Sequence, residues 1–240
     1  MNTVHFILQG KGGIGKSLVS SYLAQYLQGS GEPLLCLDTD PINATFSAIR
    51  ALEVKQVAIM GEDNLINIRS FDDMVEQILD ADASVVVDNG AASFTPLSTY
   101  LFENEVFETL QAENRTVVVH VVIVGGQALE NTLSDFKNLA EQLPEGIEVV
   151  IWLNEHFGPV TANNKTFEEM KAYQDNRDRV SALIYLPKRS DMTYGKDLSM
   201  MLADKLTFDE ALASADYRVM SKQRLKIMQR HLYQQLERVF

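Results

Sequence analysis

Short runs of consecutive apolar residues alternate along the chain with longer stretches in which apolar positions recur every three or four residues. The first pattern predicts strands buried on both faces and the second predicts amphipathic helices. Strands are expected at 4–8, 33–37 and 84–87, with a further short one at 65–68. Helices are expected at 17–28, with Leu18, Tyr22, Leu23, Tyr26 and Leu27 as its stripe, and at 71–79. Residues 116–124 form the longest β-rich run, followed by a helix from about 128 to 142, strands at 147–153 and 181–186, and helices over most of the remainder to Phe240. Such alternation predicts an α/β fold, a mostly parallel twisted sheet with helices on both faces, and one domain over residues 1–240. The segment 53–64, containing Met60-Gly61-Glu62-Asp63, has weak periodicity and reads either as a partner-binding insertion or as a loop.

Composition narrows the class. The chain has 240 residues, 46% of them hydrophobic and 22% charged, as in ordinary globular proteins. It lacks an apolar run of membrane-spanning length, and its N-terminus lacks the basic and apolar regions of a secretory signal, so a soluble cytoplasmic protein is expected. The single cysteine, Cys36, excludes an internal disulfide and any cysteine-only metal cluster within one chain. His5, His120, His156 and His231 show no metal-ligand spacing; His5 and His120 fall in strands and read as structural. The net charge of −12 repels polyanions on average. From Asp216 onward, however, Arg218, Lys222, Arg224, Lys226, Arg230 and Arg238 face only two acids. Leu225, Met228, Leu232, Leu236 and Val239 recur at helical spacing there, predicting a basic amphipathic helix at about 216–239. Its stripe is expected to pack on its own domain, leaving the basic face for a partner.

The segment after the first strand carries the strongest chemistry. Gly10-Lys11-Gly12-Gly13-Ile14-Gly15-Lys16-Ser17 fits G-x-x-x-x-G-K-[ST] at every fixed position, between a strand and a helix, with Leu18 next. Glycines let successive backbone N–H groups turn inward on phosphate oxygens, and the helix N-terminus faces the same anion. Lys16 is placed to neutralise the β- and γ-phosphates, and the Ser17 hydroxyl to ligate Mg²⁺. An ATP–Mg²⁺ site is therefore expected. Val85-Val86-Val87-Asp88 is an apolar strand ending in a carboxylate that would hold the Mg²⁺ through water. Asn89-Gly90-Ala91-Ala92 is then a small-residue loop suited to sensing a γ-phosphate. Asp38-Thr39-Asp40-Pro41 ends the second strand, where α/β folds bind ligands, although Asp before Pro also suits a plain turn.

The second lysine of the loop, Lys11, and the stretch Asp38-Thr39-Asp40-Pro41-Ile42-Asn43-Ala44-Thr45 resemble the deviant Walker A ATPases of the ParA and MinD type. That resemblance implies an ATP-bound homodimer in which Lys11 reaches the partner's nucleotide. It also implies that Asp40 orients the attacking water and that Asp38 supports the Mg²⁺ site from the second shell. Asn154, at the end of Trp152-Leu153-Asn154, would read the adenine edge, and Pro187 would flank the ring. Ile42 replaces the family's glutamine, and Asn89-Gly90 replaces its prolines. Further stretches, LQGKGGIGKS, VVVDNGAASFTPLS, VGGQALENTLSDF and WLNEHFGP, resemble the TraL and StbB group of ParA-like ATPases from conjugative plasmids, over about 4–236. This implies a hydrolysis-timed switch in plasmid conjugation, stability or positioning. It also implies a plasmid-encoded protein partner, with non-specific DNA or membrane contact through the C-terminal helix. Two other classes fit the P-loop: an ATP-dependent biosynthetic enzyme acting on a small carboxylic acid, and a nucleotide-regulated interaction module with negligible turnover.

Overall fold

The computed structural model describes residues 2–43 and 45–240. In chain order they form β1 (Thr3–Ile7), α1 (Lys16–Gly29), β2 (Leu34–Asp38), β3 (Lys55–Gln56), α2 (Ser70–Asp80), β4 (Ser84–Asp88), α3 (Phe94–Glu103) and α4 (Val106–Ala112). There follow β5 (Thr116–Val124), α5 (Leu129–Gln142), β6 (Glu148–Asn154), β7 (Thr161–Ala162), β8 (Lys165–Thr166), α6 (Lys171–Gln174), β9 (Val180–Leu186), α7 (Lys196–Ala203), α8 (Phe208–Ala213) and α9 (Val219–Leu236). A π-helical turn, Asp191–Gly195, precedes α7.

Seven strands make one parallel sheet in the order β3-β2-β4-β1-β5-β6-β9, and β7 and β8 form a separate hairpin. Because side chains alternate across a strand, each apolar run feeds two cores. Val117, Val119, Val121 and Ile123 of β5 pack with Phe71, Leu101, Phe107 and Phe136 beneath α2–α5. Val118, Val122 and Val124 pack with Leu23, Phe208, Leu225 and Leu232 beneath α1 and α7–α9. Cys36 lies in this second core, where burial pushes its thiol pKa up to about 12.

His5 and His120 face each other across β1 and β5. His5 Nδ1 and His120 Nε2 are 3.0 Å apart, and the Trp152 indole donates to His120 Nδ1 at 2.9 Å. That bond makes Nε2 of His120 the donor toward His5. Burial lowers both histidines, His5 to about 3, so both are neutral and structural.

Several expectations need correction. Residues 65–68 are not a strand: Ile66 makes one isolated bridge to Met60, and Leu65 and Ile68 are exposed. The sheet edge instead comes from the weakly periodic 53–64 segment, as β3 followed by buried Val57 and Ile59. The stripe proposed for α1 understates its burial. Val19 through Gln25 are all buried, because α8 and α9 cover the side away from the sheet, with Tyr22 stacked on Phe208 and Tyr26 against Tyr233. Helices α3 and α4 were not anticipated; Pro96 reads as a breaker but occupies the first turn of α3, where its missing N–H costs little. In α9, Leu225, Leu232 and Leu236 are buried and Met228 half-buried, as is Val239 just beyond it. Among the described residues no helix is long and apolar enough to cross a membrane.

Candidate nucleotide-binding site

Parallel pairing puts the carboxyl ends of β1, β2, β4, β6 and β9 along one edge of the sheet. Ile7 and Asp38 each pair with Asp88, and Asn154 pairs with Leu186, so residues distant in sequence meet there.

The P-loop occupies the middle of this edge. Gly13 and Gly15 have φ of +74° and +100°, left-handed conformations that side chains disfavour. Gly15 caps α1 without a side-chain bond, leaving the helix N-terminus to an anion. Lys16 is buried, and its Nζ donates to the Lys11 carbonyl at 2.9 Å. Burial lowers its pKa, opposed by Asp88, Asp40 and Asp135. Lys11 is exposed, and its side chain makes no ion pair among the described residues.

Asp88 is fully buried. Ser20 donates to its Oδ1 at 2.7 Å, and Oδ2 has no hydrogen-bond partner. Burial pushes its pKa up to about 7, against the hydrogen bonds from Ser17 and Ser20. An orphaned, desolvated carboxylate oxygen beside the P-loop serine fits a hydrated divalent cation, so the residues present suit Mg²⁺.

The two aspartates after β2 organise their own loop. Asp38 accepts from the N–H groups of Asp40 (2.9 Å) and Ser47 (3.1 Å), and burial raises its pKa. Asp40 Oδ1 accepts from the N–H groups of Ile42 (2.9 Å) and Asn43 (3.0 Å). Gly90 abuts Asp40: a Cβ there would lie 2.5 Å from the Asp40 Cγ, so only glycine lets the two loops touch. Ile42 is 73% exposed, and Ala44 of this stretch lies outside the described residues.

A cavity of about 760 Å³ opens beside the P-loop, lined by Gly13, Ile14, Gly15 and Leu18 as well as by Asn154, His156 and Pro187. It thus brings the P-loop together with Asn154 and Pro187, the residues expected at the base, although Gly13 and Pro187 lie 174 positions apart. Asn154 Nδ2 donates to the Ile14 carbonyl at 2.9 Å, and its Oδ1 accepts from the His156 N–H at 3.1 Å. One amide N–H and one lone pair remain.

Sequence reasoning missed two groups. Asp135 of α5 accepts from the Gly10 N–H (3.2 Å) and the Gln9 side chain (2.8 Å), while Asn89 accepts from the Gln9 N–H at 3.1 Å. Nothing in local spacing links Asp135 to a loop 125 residues away. The second group lines the far wall of the cavity, where Arg189 bonds His231 at 2.9 Å and lies over the Tyr194 ring. The π-helical turn here was the one local sign of a functional segment, and it shows only in the backbone.

Residues 5–196 match the family model of the CobQ/CobB/MinD/ParA nucleotide binding domain. The chain is 49% identical over 237 residues to a TraL protein of Escherichia coli, covering 99% of this chain and 98% of that one. It is 27% identical to the MobD protein of Acidithiobacillus ferrooxidans over 85% of this chain and 92% of MobD. Among solved structures, a chain of the MinC:MinD cell division protein complex of Aquifex aeolicus superposes with a TM-score of 0.56 at 14% identity, over 96% of this chain and 95% of that one, a likeness of fold. The chain belongs to the CobQ/CobB/MinD/ParA nucleotide-binding family.

Proposed function

We propose that the protein is an ATPase of the ParA type, one domain over residues 1–240, which dimerises on ATP and uses slow hydrolysis as a timer. The observation that carries this reading is the convergence of Lys16, Asp40 and Asp88 on one P-loop while Lys11 stays exposed. Backbone N–H groups from Gly10 to Leu18 and the Lys16 ammonium bind the phosphates. Ser17 and Asp88, the latter through water, would hold Mg²⁺, with Asp38 fixing the adjacent loop; when bound, the cation would supply neutralisation of phosphate charge. Asp40 orients water toward the γ-phosphate, and Lys11 stabilises developing charge on the partner's nucleotide. Asn154 and Pro187 hold the base. Likeness to TraL supports a role in conjugative plasmid transfer, stability or positioning, with a plasmid-encoded protein as partner.

The C-terminal helix bears on which surface the dimer engages. A membrane-binding amphipathic helix needs its apolar face free. Here Leu225, Leu232 and Leu236 are buried in the chain's own core, so the apolar stripe is not free, which favours DNA or protein over membrane.

Calorimetric titration with ATP and single-turnover hydrolysis test the reading. Lys16→Ala is expected to weaken ATP binding at least tenfold. Asp40→Ala is expected to bind ATP normally and to lose hydrolysis by about 10²-fold or more, the scale of a lost general base or water-positioning group. Normal hydrolysis by Asp40→Ala contradicts the assignment. DNA binding by that variant with ATP and with ADP, across a salt titration, then separates a DNA-riding switch from a protein-bound one.

A further inference from the structure

Charge is distributed very unevenly over the two faces of the sheet. Sixteen of the 33 acidic residues lie between 62 and 145 with only three basic ones, whereas the rest of the chain has 17 acids and 18 bases. That segment supplies α2–α5, most of the helical layer over the first core. Of its three cations, Arg115 is spent on the carbonyls of Ile78, Leu79, Ala81 and Ala83, and Lys137 pairs with Glu141. The layer is therefore a strongly anionic face.

A groove of about 380 Å³ runs through this face between α3 and α5. Phe94, Phe102 and Leu139 give it an apolar lining; Asp135 lies in its wall near the P-loop, and Glu103 lies at the far end of α3. Ser98, midway along, presents a buried hydroxyl that has no hydrogen-bond partner in the described structure. Phe94 to Phe102 spans eight residues, about 12 Å or two helical turns. Such a groove accepts two apolar side chains spaced one turn apart on a helix, with cations on its flanks reaching Glu103 and Asp135. Nucleic acid and anionic lipid are repelled by the same face.

We propose that the groove between α3 and α5 docks a cationic amphipathic helix of a partner protein. The proposal stands on groove and charge and does not depend on the nucleotide reading. Its inner end nonetheless touches the P-loop, because Asp135 holds the Gly10 N–H and Phe94 packs against Gly10. An occupant's cation at Asp135 would compete with that bond.

The test is fluorescence anisotropy of the full chain with three labelled fourteen-residue helical peptides: Lys/Leu with an apolar stripe, Lys/Ser without one, and Glu/Leu. The Lys/Leu peptide is expected to bind at micromolar concentration and to weaken at least tenfold between low and 0.3 M salt. The Lys/Ser peptide is expected to bind at least tenfold more weakly, and the Glu/Leu peptide not at all. The exposed-rim double variant Thr99→Lys/Asn138→Lys should lose at least tenfold. Glu76→Lys/Asp80→Lys, on α2 outside the groove, should lose less than threefold, with both variants checked for unchanged thermal melting. Equal binding of Lys/Leu and Lys/Ser, equal loss in the two double variants, or no binding by Lys/Leu overturns the proposal.

Discussion

Asp40 and Gly90 show how tightly the candidate chemistry is packed. Gly90 has an ordinary φ, so the absence of a side chain there serves space alone: a Cβ would press on the Asp40 carboxylate at 2.5 Å. Gly90→Ala is therefore expected to displace Asp40 and to lower single-turnover hydrolysis by about 10²-fold, the cost of a misplacement near 1 Å, while ATP affinity changes less than threefold. A loss of both together would place Gly90 in the binding of ATP instead. Asn154 yields a second prediction. With one N–H on the Ile14 carbonyl and one lone pair on the His156 N–H, its remaining donor and acceptor match N7 and the N6 amino group of adenine. Guanine offers two acceptors on that edge, so one contact is lost. ATP is expected to bind at least tenfold more tightly than GTP, and Asn154→Ala to erase most of that ratio, as competition against a fluorescent nucleotide would show. The P-loop was legible in the sequence because its glycines and lysine follow a strand at a fixed spacing, and Asp88 because it closes an apolar strand, whereas Asp38 and Asp40 were singled out by their resemblance to ParA-type sequences. Asp135, Arg189 and His231 were not, because only the closed sheet and the packing of α5 and α9 bring them to the site.

At the scale of elements, the strands were the most legible part. In the run Thr116–Val124 seven of nine residues are apolar, because helices cover both sides of a parallel sheet. Elements whose burial depends on tertiary neighbours were harder. β3 has two exposed residues and exists only through pairing with Leu37 and Asp38, and α3 begins with a proline in its first turn. The pairing of β1 with β5 also has a thermodynamic consequence. His5 sits near pKa 3 and His120 well below 6.5, so below about pH 6.5 the unfolded chain takes up protons that the folded chain refuses. Stability is unaffected by the pair above pH 6.5 and falls as pH drops from there toward about 3. The slope is up to about 1.4 kcal/mol per pH unit for each histidine. Urea unfolding at pH 7 and pH 5 measures it. The double variant His5→Phe/His120→Gln, which has no ring to protonate, should flatten the difference; an unchanged slope would remove the pair from the account.

Over the whole molecule, one side of the sheet carries the anionic layer and the other carries α9 with its basic side, while the nucleotide edge lies between them. Lys11 stands exposed on that edge although the loop needs only Lys16 to hold phosphate, and the adjoining Ile42 is an exposed apolar residue. Both features suit a surface that closes against a second copy when ATP is present. The most direct measurement is the molar mass of the Asp40→Ala protein by light scattering during size exclusion, with Mg²⁺ and either ATP or ADP. A dimer with ATP and a monomer with ADP is the predicted result, with Lys11→Ala added to the same variant restoring the monomer under ATP. A monomer in both nucleotides, with ATP binding confirmed by calorimetry, would contradict the account.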